Sequence, residues 1–94
     1  PVQVIICPIT DKFNSYAEEI LKKLNNNGFI AEFDNRNEKI NYKIREHSYK
    51  KTPVLFIVGE REKKNKSVTI RELSVEKQKV LSIEKAIEYL KKKI

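Results

Sequence analysis

Two nearly unbroken apolar runs constrain this chain more than any other feature. Val2-Gln3-Val4-Ile5-Ile6-Cys7 is stopped by Pro8, and Val54-Leu55-Phe56-Ile57-Val58 is stopped by Gly59. A strand with one wet face alternates apolar and polar residues, whereas one that stays apolar and β-branched must be covered on both faces. Both runs therefore belong at the centre of a sheet with helices on either side. The chain has 94 residues, enough for one modest core and too few for a multidomain enzyme. One domain over 1–94 is expected. Hydrophobic residues at 39% and charged residues at 35% describe a folded domain, not a disordered tail. No apolar run approaches the ~18 residues of a membrane span, and no secretory leader is visible. The chain opens on Pro1 and enters an apolar run at once, so a piece of something longer is expected.

Between and after the two runs the periods change. Phe13, Ala17, Ile20, Leu21 and Leu24 recur at helical spacing, with Asp11 available as a cap and Gly28 as the left-handed terminator. Phe29 to Phe33 reads as a short strand, and the polar cluster Asp34-Asn35-Arg36-Asn37 as a turn that can cap the next helix. Ile40, Ile44 and His47 share a stripe of a helix from Glu38 to about Lys51, ended by Pro53. Residues 60–66 read as a charged turn. Ser67 to Arg71 alternates, with Val68 and Ile70 inward and Thr69 and Arg71 outward. Gln78 to Leu81 is expected to add an edge strand, and Ser82 to cap a last helix carrying Ile83, Ala86, Ile87, Leu90 and Ile94. The early alternation argues for parallel pairing and the late hairpin for antiparallel pairing. The expected class is α/β, with a mixed, mostly five-stranded sheet and helices on both faces.

Several chemistries are excluded by counting. One cysteine, Cys7, permits no intrachain disulfide and no cysteine-rich zinc site; a reducing, cytoplasmic setting suits it. Two glycines, Gly28 and Gly59, cannot make a dinucleotide fingerprint or a phosphate loop. With one histidine there is no His cluster, and no Ser/His/Asp grouping or carboxylate pair suggests catalysis. No catalytic and no metal-ligating residue is expected in this chain.

Charge points elsewhere. The formal net charge is +7, and residues 34–71 hold most of it, with eleven Lys and Arg against five Asp and Glu. A polyanion-binding face requires such a concentration, although a lysine-rich surface alone also produces one. On a helical wheel Asn41, Arg45 and Ser48 form one polar stripe, and Lys39, Lys43 and Lys50 another. Arg45 offers a planar fork of donors suited to a base edge or a phosphate; a salt bridge to Glu38 or Glu46 is the competing use. Glu62 and Arg71 flank the last hairpin and can present an acceptor and a forked donor to one base, or pair with each other. Tyr42 and Tyr49 can stack on unpaired bases or cover apolar surface. His47, on the isoleucine stripe, reads as a packing histidine, and Cys7 as a small hydrophobe.

Taken together, Pro1-Val2-Gln3-Val4 through Ile9-Thr10-Asp11, Arg36-Asn37-Glu38-Lys39-Ile40, Lys43-Ile44-Arg45-Glu46-His47, Pro53 and Gly59-Glu60-Arg61-Glu62 resemble the C-terminal anticodon-binding domain of bacterial-type threonyl-tRNA synthetases, along essentially the whole chain. The resemblance implies a mixed α/β domain of mostly five strands and three helices. It also implies binding of the anticodon loop of threonine tRNA, with bases read by Asn37, Arg45, Glu62 and Arg71 and a further RNA contact from Lys51. Glu62 and Arg71 would face a guanine edge, and Asn37 and Arg45 the last anticodon base. Two positions depart from the family pattern: Lys51 stands where arginine is usual, and Glu72-Leu73-Ser74-Val75 replaces a basic, glycine-containing turn. Ligase activity, ATP, magnesium, zinc and homodimer formation are implied only for the catalytic remainder of a parent synthetase. The alternatives are the related domain of a prolyl-, histidyl- or glycyl-tRNA synthetase, or a protein-interaction domain on the same fold.

Overall fold

A computed structural model describes residues 2–93. Pro1 and Ile94 lie outside the described residues, so the apolar role expected of Ile94 is not addressed. In chain order the elements are β1 (Val4–Pro8), α1 (Asn14–Asn26), β2 (Ala31–Phe33), α2 (Ile40–Tyr49), β3 (Val54–Val58), α3 (Glu60–Asn65), β4 (Ser67–Glu72), β5 (Lys79–Ser82) and α4 (Ile83–Lys93). The sheet runs β2-β1-β3-β4-β5. β1 is parallel to both β2 and β3, while β3–β4 and β4–β5 are antiparallel. The two apolar runs are therefore adjacent inner strands, each buried at every position.

Strand alternation sorts the core onto two faces. Val4, Ile6, Phe56, Val68 and Ile70 pack with Ala17, Ile20 and Leu24 of α1 and Ile83, Ala86 and Leu90 of α4. On the opposite face Ile5, Cys7 and Leu55 pack with Ile40 and Ile44 of α2 and with Val2. Two helices thus cover one face, and a single helix covers the β1–β3 part of the other. Leu55 pairs with Arg71 and Thr69 with Val80 across neighbouring strands, so Arg71, Thr69 and Val80 belong to the α2 face, beyond the helix. Val80 is 56% exposed there. That uncovered strip beside α2 is where a ligand can lie.

The terminators behave as their chemistry requires. Gly28 sits at φ +87 and closes α1 with hydrogen bonds from its own N–H to Asn25 O and from Phe29 N–H to Leu24 O. Only glycine adopts that backbone freely. Ser82 Oγ accepts from Lys85 N–H and caps α4 as expected. Asp11 makes no side-chain cap; it opens a short 3-10 turn ahead of α1. The cluster at 34–37 does not cap α2 either, because the helix starts later than expected, at Ile40, with Lys39 in the N-cap position and no side-chain cap; Asp34 turns its carboxylate to the Arg36 N–H.

The segment expected as a charged turn forms the six-residue α3. Its N-terminus is closed by Glu62 Oε1, which accepts from Gly59 N–H at 2.9 Å, half of a capping box. Gly59 also leaves room that a Cβ would fill, 2.6 Å from Ile9 Cδ1. The expected stripe of Lys39, Lys43 and Lys50 is broken, since Lys43 is buried. Its ammonium donates to Pro8 O and Asp34 O, carbonyls at the ends of parallel strands that no ladder satisfies. No helix among the described residues is long and apolar enough to cross a membrane.

Candidate nucleic-acid interface

α2 is held to the sheet by a polar cluster. Asp34 directly follows β2 and is buried. Its Oδ1 accepts from Arg36 Nε at 3.0 Å, and its Oδ2 from an Arg36 terminal nitrogen at 2.8 Å and His47 Nε2 at 2.7 Å. Arg36 also reaches Glu46 Oε1, lies over the Tyr42 ring, and Tyr42 in turn donates to Glu46 Oε2. Burial pushes the Asp34 carboxyl up, but the hydrogen bonds from Arg36 and His47 outweigh it and hold the group well below the usual carboxylate range. The hydrogen bond from Arg36 likewise lowers Glu46. His47 is thus the packing histidine its stripe suggested, with an acid as its partner.

Cys7, Asp34 and His47 place their donor atoms within 4.8 Å of one another, which raises the question of a metal. Their chemistry answers for a structural cluster. Burial, then the Asp34 charge, pushes the Cys7 thiol up to about 12, which disfavours the thiolate that a metal ligand requires. The Asp34 oxygens already serve Arg36 and His47, and a guanidinium at that carboxylate opposes a further cation.

The cluster decides the state of Arg45. Glu46, one of the two acids expected to compete for it, is engaged by Arg36. Among the described residues no hydrogen bond or ion pair engages the side chain of Arg45 or Arg71. Asn41, Ile44, Arg45 and Ser48 of α2 and Arg71 of β4 line one hollow of about 400 Å³. Two uncompensated guanidiniums, from elements far apart in sequence, meet over a polar helix face at the uncovered strip. A second hollow continues from it, shared at Ser48 and Arg71 and extended by Leu73, Ser74 and Val75 and by two acids, Glu72 and Glu76.

Glu62 stands differently from Arg71. Its second oxygen, Oε2, accepts from Thr69 Oγ1 at 2.8 Å, and the side chain is buried. It does not pair with Arg71 and does not line the hollow; it braces β4 two residues away, on the same face. That contact also buries Thr69, which alternation alone had turned outward. Asn37 lies in a separate polar cleft beyond the N-terminus of α2, with Thr10, Asp11, Asn14 and Lys39. Lys51 lies past the other end of the helix, in a hollow shared with Lys50 and Pro53. Asn37, Arg45 and Lys51 therefore lie in three hollows that share no lining residue: Arg45 joins Arg71 on the β4 side of α2, while the Lys51 hollow opens toward Val2, Ile5 and Glu32 on the β1–β2 side. Tyr42 is tied to the Arg36–Glu46 pair but stays 45% exposed, and Tyr49 is 87% exposed.

Lys51 carries a backbone cost. At φ +62 it occupies the left-handed position that ends α2, with Lys51 N–H on Ser48 O and Thr52 N–H on His47 O. A side chain there costs about 1 kcal/mol relative to glycine. Lys51→Gly is expected to stabilise the fold by up to that amount while weakening RNA binding and flattening its salt dependence by about one phosphate contact. Paired denaturant melts and salt titrations separate the two effects.

Comparisons with known proteins identify the family and the fold. The family described as "Anticodon binding domain" matches residues 3–93. Curated relatives named threonine–tRNA ligase include one from Caulobacter sp. (strain K31), 50% identical over 96% of this chain and 14% of its own length. Another, from Bartonella quintana, is 50% identical over 97% of this chain and 14% of its own length. The chain thus spans about one seventh of the relatives it matches. Among solved structures, the RNA binding domain of threonyl-tRNA synthetase from Cryptosporidium parvum superposes with a TM-score of 0.93 at 29% identity, over 98% of this chain and 23% of that one. A prolyl-tRNA synthetase from the same organism gives 0.90 at 24% identity, over 98% and 20%, a likeness of fold alone. Matched almost from end to end by one profile, and by ligases at half of its residues, this chain belongs to the anticodon binding domain family.

Proposed function

We propose that this domain binds the anticodon loop of threonine tRNA and supplies base recognition to a longer threonine–tRNA ligase. The observation that carries the reading is the pair of unpaired guanidiniums, Arg45 and Arg71, facing one open hollow beside α2. An arginine fork matches the acceptor edge of a base or the oxygens of a phosphate, and single-stranded loops are where RNA sequence is read. Asn37 and Lys51 extend the contact along both ends of α2. Glu62 keeps lone pairs after serving Gly59 and Thr69, and a base amine passing Thr69 would meet them. Threonine, over proline or another amino acid, is favoured by the identity to threonine ligases. Ligation itself, with ATP, magnesium, zinc and any homodimer contact, is assigned to the rest of such a protein, working in the cytoplasm.

Binding to threonine, proline and histidine anticodon stem-loops, measured side by side across a salt series, tests this. The threonine loop is expected to bind best. Its log affinity should fall with log salt at about −0.7 per phosphate neutralised. A flat salt response means the face is not an RNA interface and leaves the protein-contact alternative; a preference for proline or histidine loops overturns the threonine assignment.

A further inference from the structure

Arg71 and Glu72 sit at an unusual place in the sheet. The β4–β5 ladder ends with Ile70 opposite Lys79, but β4 runs on beside β3, with Arg71 opposite Leu55 and Glu72 opposite Val54. The two residues therefore have a strand on one side only. The chain then leaves through Ser74, at φ +68, with Leu73 N–H held by Pro53 O, again from the β3 side. On the open side the ladder is replaced by side chains. Tyr89 of α4 donates its hydroxyl hydrogen to Glu72 Oε1 and accepts from Lys79 Nζ at 2.8 Å. The same ammonium lies 4.2 Å from the Tyr89 ring centroid, and Lys93 approaches Glu72 Oε2 at 3.7 Å. The hydrogen bond to Tyr89 raises the Lys79 ammonium above its ordinary range, in keeping with a cation held at the start of β5.

Resting on the base-reading role given above to Arg71, we infer that Tyr89 is a positioning residue for it. The relay Lys79–Tyr89–Glu72 fixes the unpaired flank of β4 from the α4 face, so that Arg71, on the opposite face, is presented to the anticodon loop at one angle. Among the described residues Arg71 has no side-chain partner of its own, so the direction of its guanidinium depends on the backbone beneath it. A fork selects a base only when its two donors meet two acceptors together, and a strand end free to tilt blurs that choice without removing the charge.

The test compares the native domain with Tyr89→Phe, Glu72→Gln, Glu72→Leu, a double variant carrying both Tyr89→Phe and Glu72→Leu, and Arg71→Ala. The probes are the threonine anticodon stem-loop and three versions in which the anticodon guanine that Arg71 is expected to face is replaced by each of the other bases. Tyr89→Phe keeps the ring and its packing, so thermal unfolding should show a native-like transition. It is expected to lower discrimination roughly tenfold while leaving the salt slope unchanged. Glu72→Gln, which still offers an oxygen to the tyrosine hydroxyl, should retain most of the discrimination. The double variant should lose no more than either Tyr89→Phe or Glu72→Leu, because all of them break one relay. If Arg71→Ala loses discrimination and Tyr89→Phe does not, the positioning role is wrong. Equal weakening toward all four loops by Tyr89→Phe, or loss of its folded transition, overturns it too, since that marks a purely structural residue. If Arg71→Ala itself leaves discrimination intact, the base-reading role of Arg71 fails instead.

Discussion

Asp34→Ala is expected to destabilise the domain by about 3 kcal/mol and to spoil RNA binding only as far as it loosens α2. Removing one partner of a buried ionic pair strands the other, at roughly 3–5 kcal/mol. The lower end applies because the Arg36 side chain is 43% exposed and water can take back its guanidinium. His47 has no such relief: its ring is buried, and its other nitrogen, Nδ1, has no partner among the described residues. The same carboxylate makes the fold acid-sensitive. Its folded-state pKa lies below the ordinary aspartate value of about 3.9, so the unfolded chain binds the proton more readily. Its contribution is therefore complete above about pH 4 and lost as pH falls toward the folded-state value. Denaturant melts from pH 7 down to about 3 check both statements. Asp34→Asn should show less stability at neutral pH and a shallower acid loss than the native chain. An unchanged acid profile in that variant would mean that another carboxylate governs it.

Arg71→Ala is expected to lower discrimination at one anticodon position by about 1–3 kcal/mol, roughly 5- to 150-fold. The guanidinium spends nothing on an internal salt bridge, so its loss should leave the fold nearly as stable as before. Arg45→Ala should act at a neighbouring position, and, because both residues line one hollow, the double variant should depart from the sum of the two. Binding of stem-loops carrying each of the four bases at each anticodon position measures this directly. Equal weakening toward every sequence would reduce Arg71 to a phosphate contact.

How much of this was legible beforehand differs between fold and site. The inner strands, α1 with its Gly28 terminator, α2 ending before Pro53 and the Ser82 cap followed from local chemistry, and so did the mixed five-stranded class. α3 was missed because its N-terminal capping depends on one carboxylate, and five charged residues and an asparagine show no apolar period. Lys43 was misplaced on a wet stripe because a wheel shows direction but not the unpaired carbonyls at the strand ends that attract an ammonium. Asn37, Arg45, Glu62, Arg71 and Lys51 could be named from their resemblance to a family, yet spacing could not separate free arginines from paired ones.

Residue order alone determined which strands must be covered on both faces, where helices stop and that positive charge gathers in the middle of the chain. These follow from burial, backbone geometry and composition, which act locally. The tertiary structure decided which cations remain available. Arg36 is turned by Asp34 onto Glu46, leaving Arg45 free, and Glu62 is drawn to Gly59 and Thr69, leaving Arg71 free. An ion pair depends on separation in space, falling off within a few ångströms, and those separations are set by loops and strand register that no helical wheel contains.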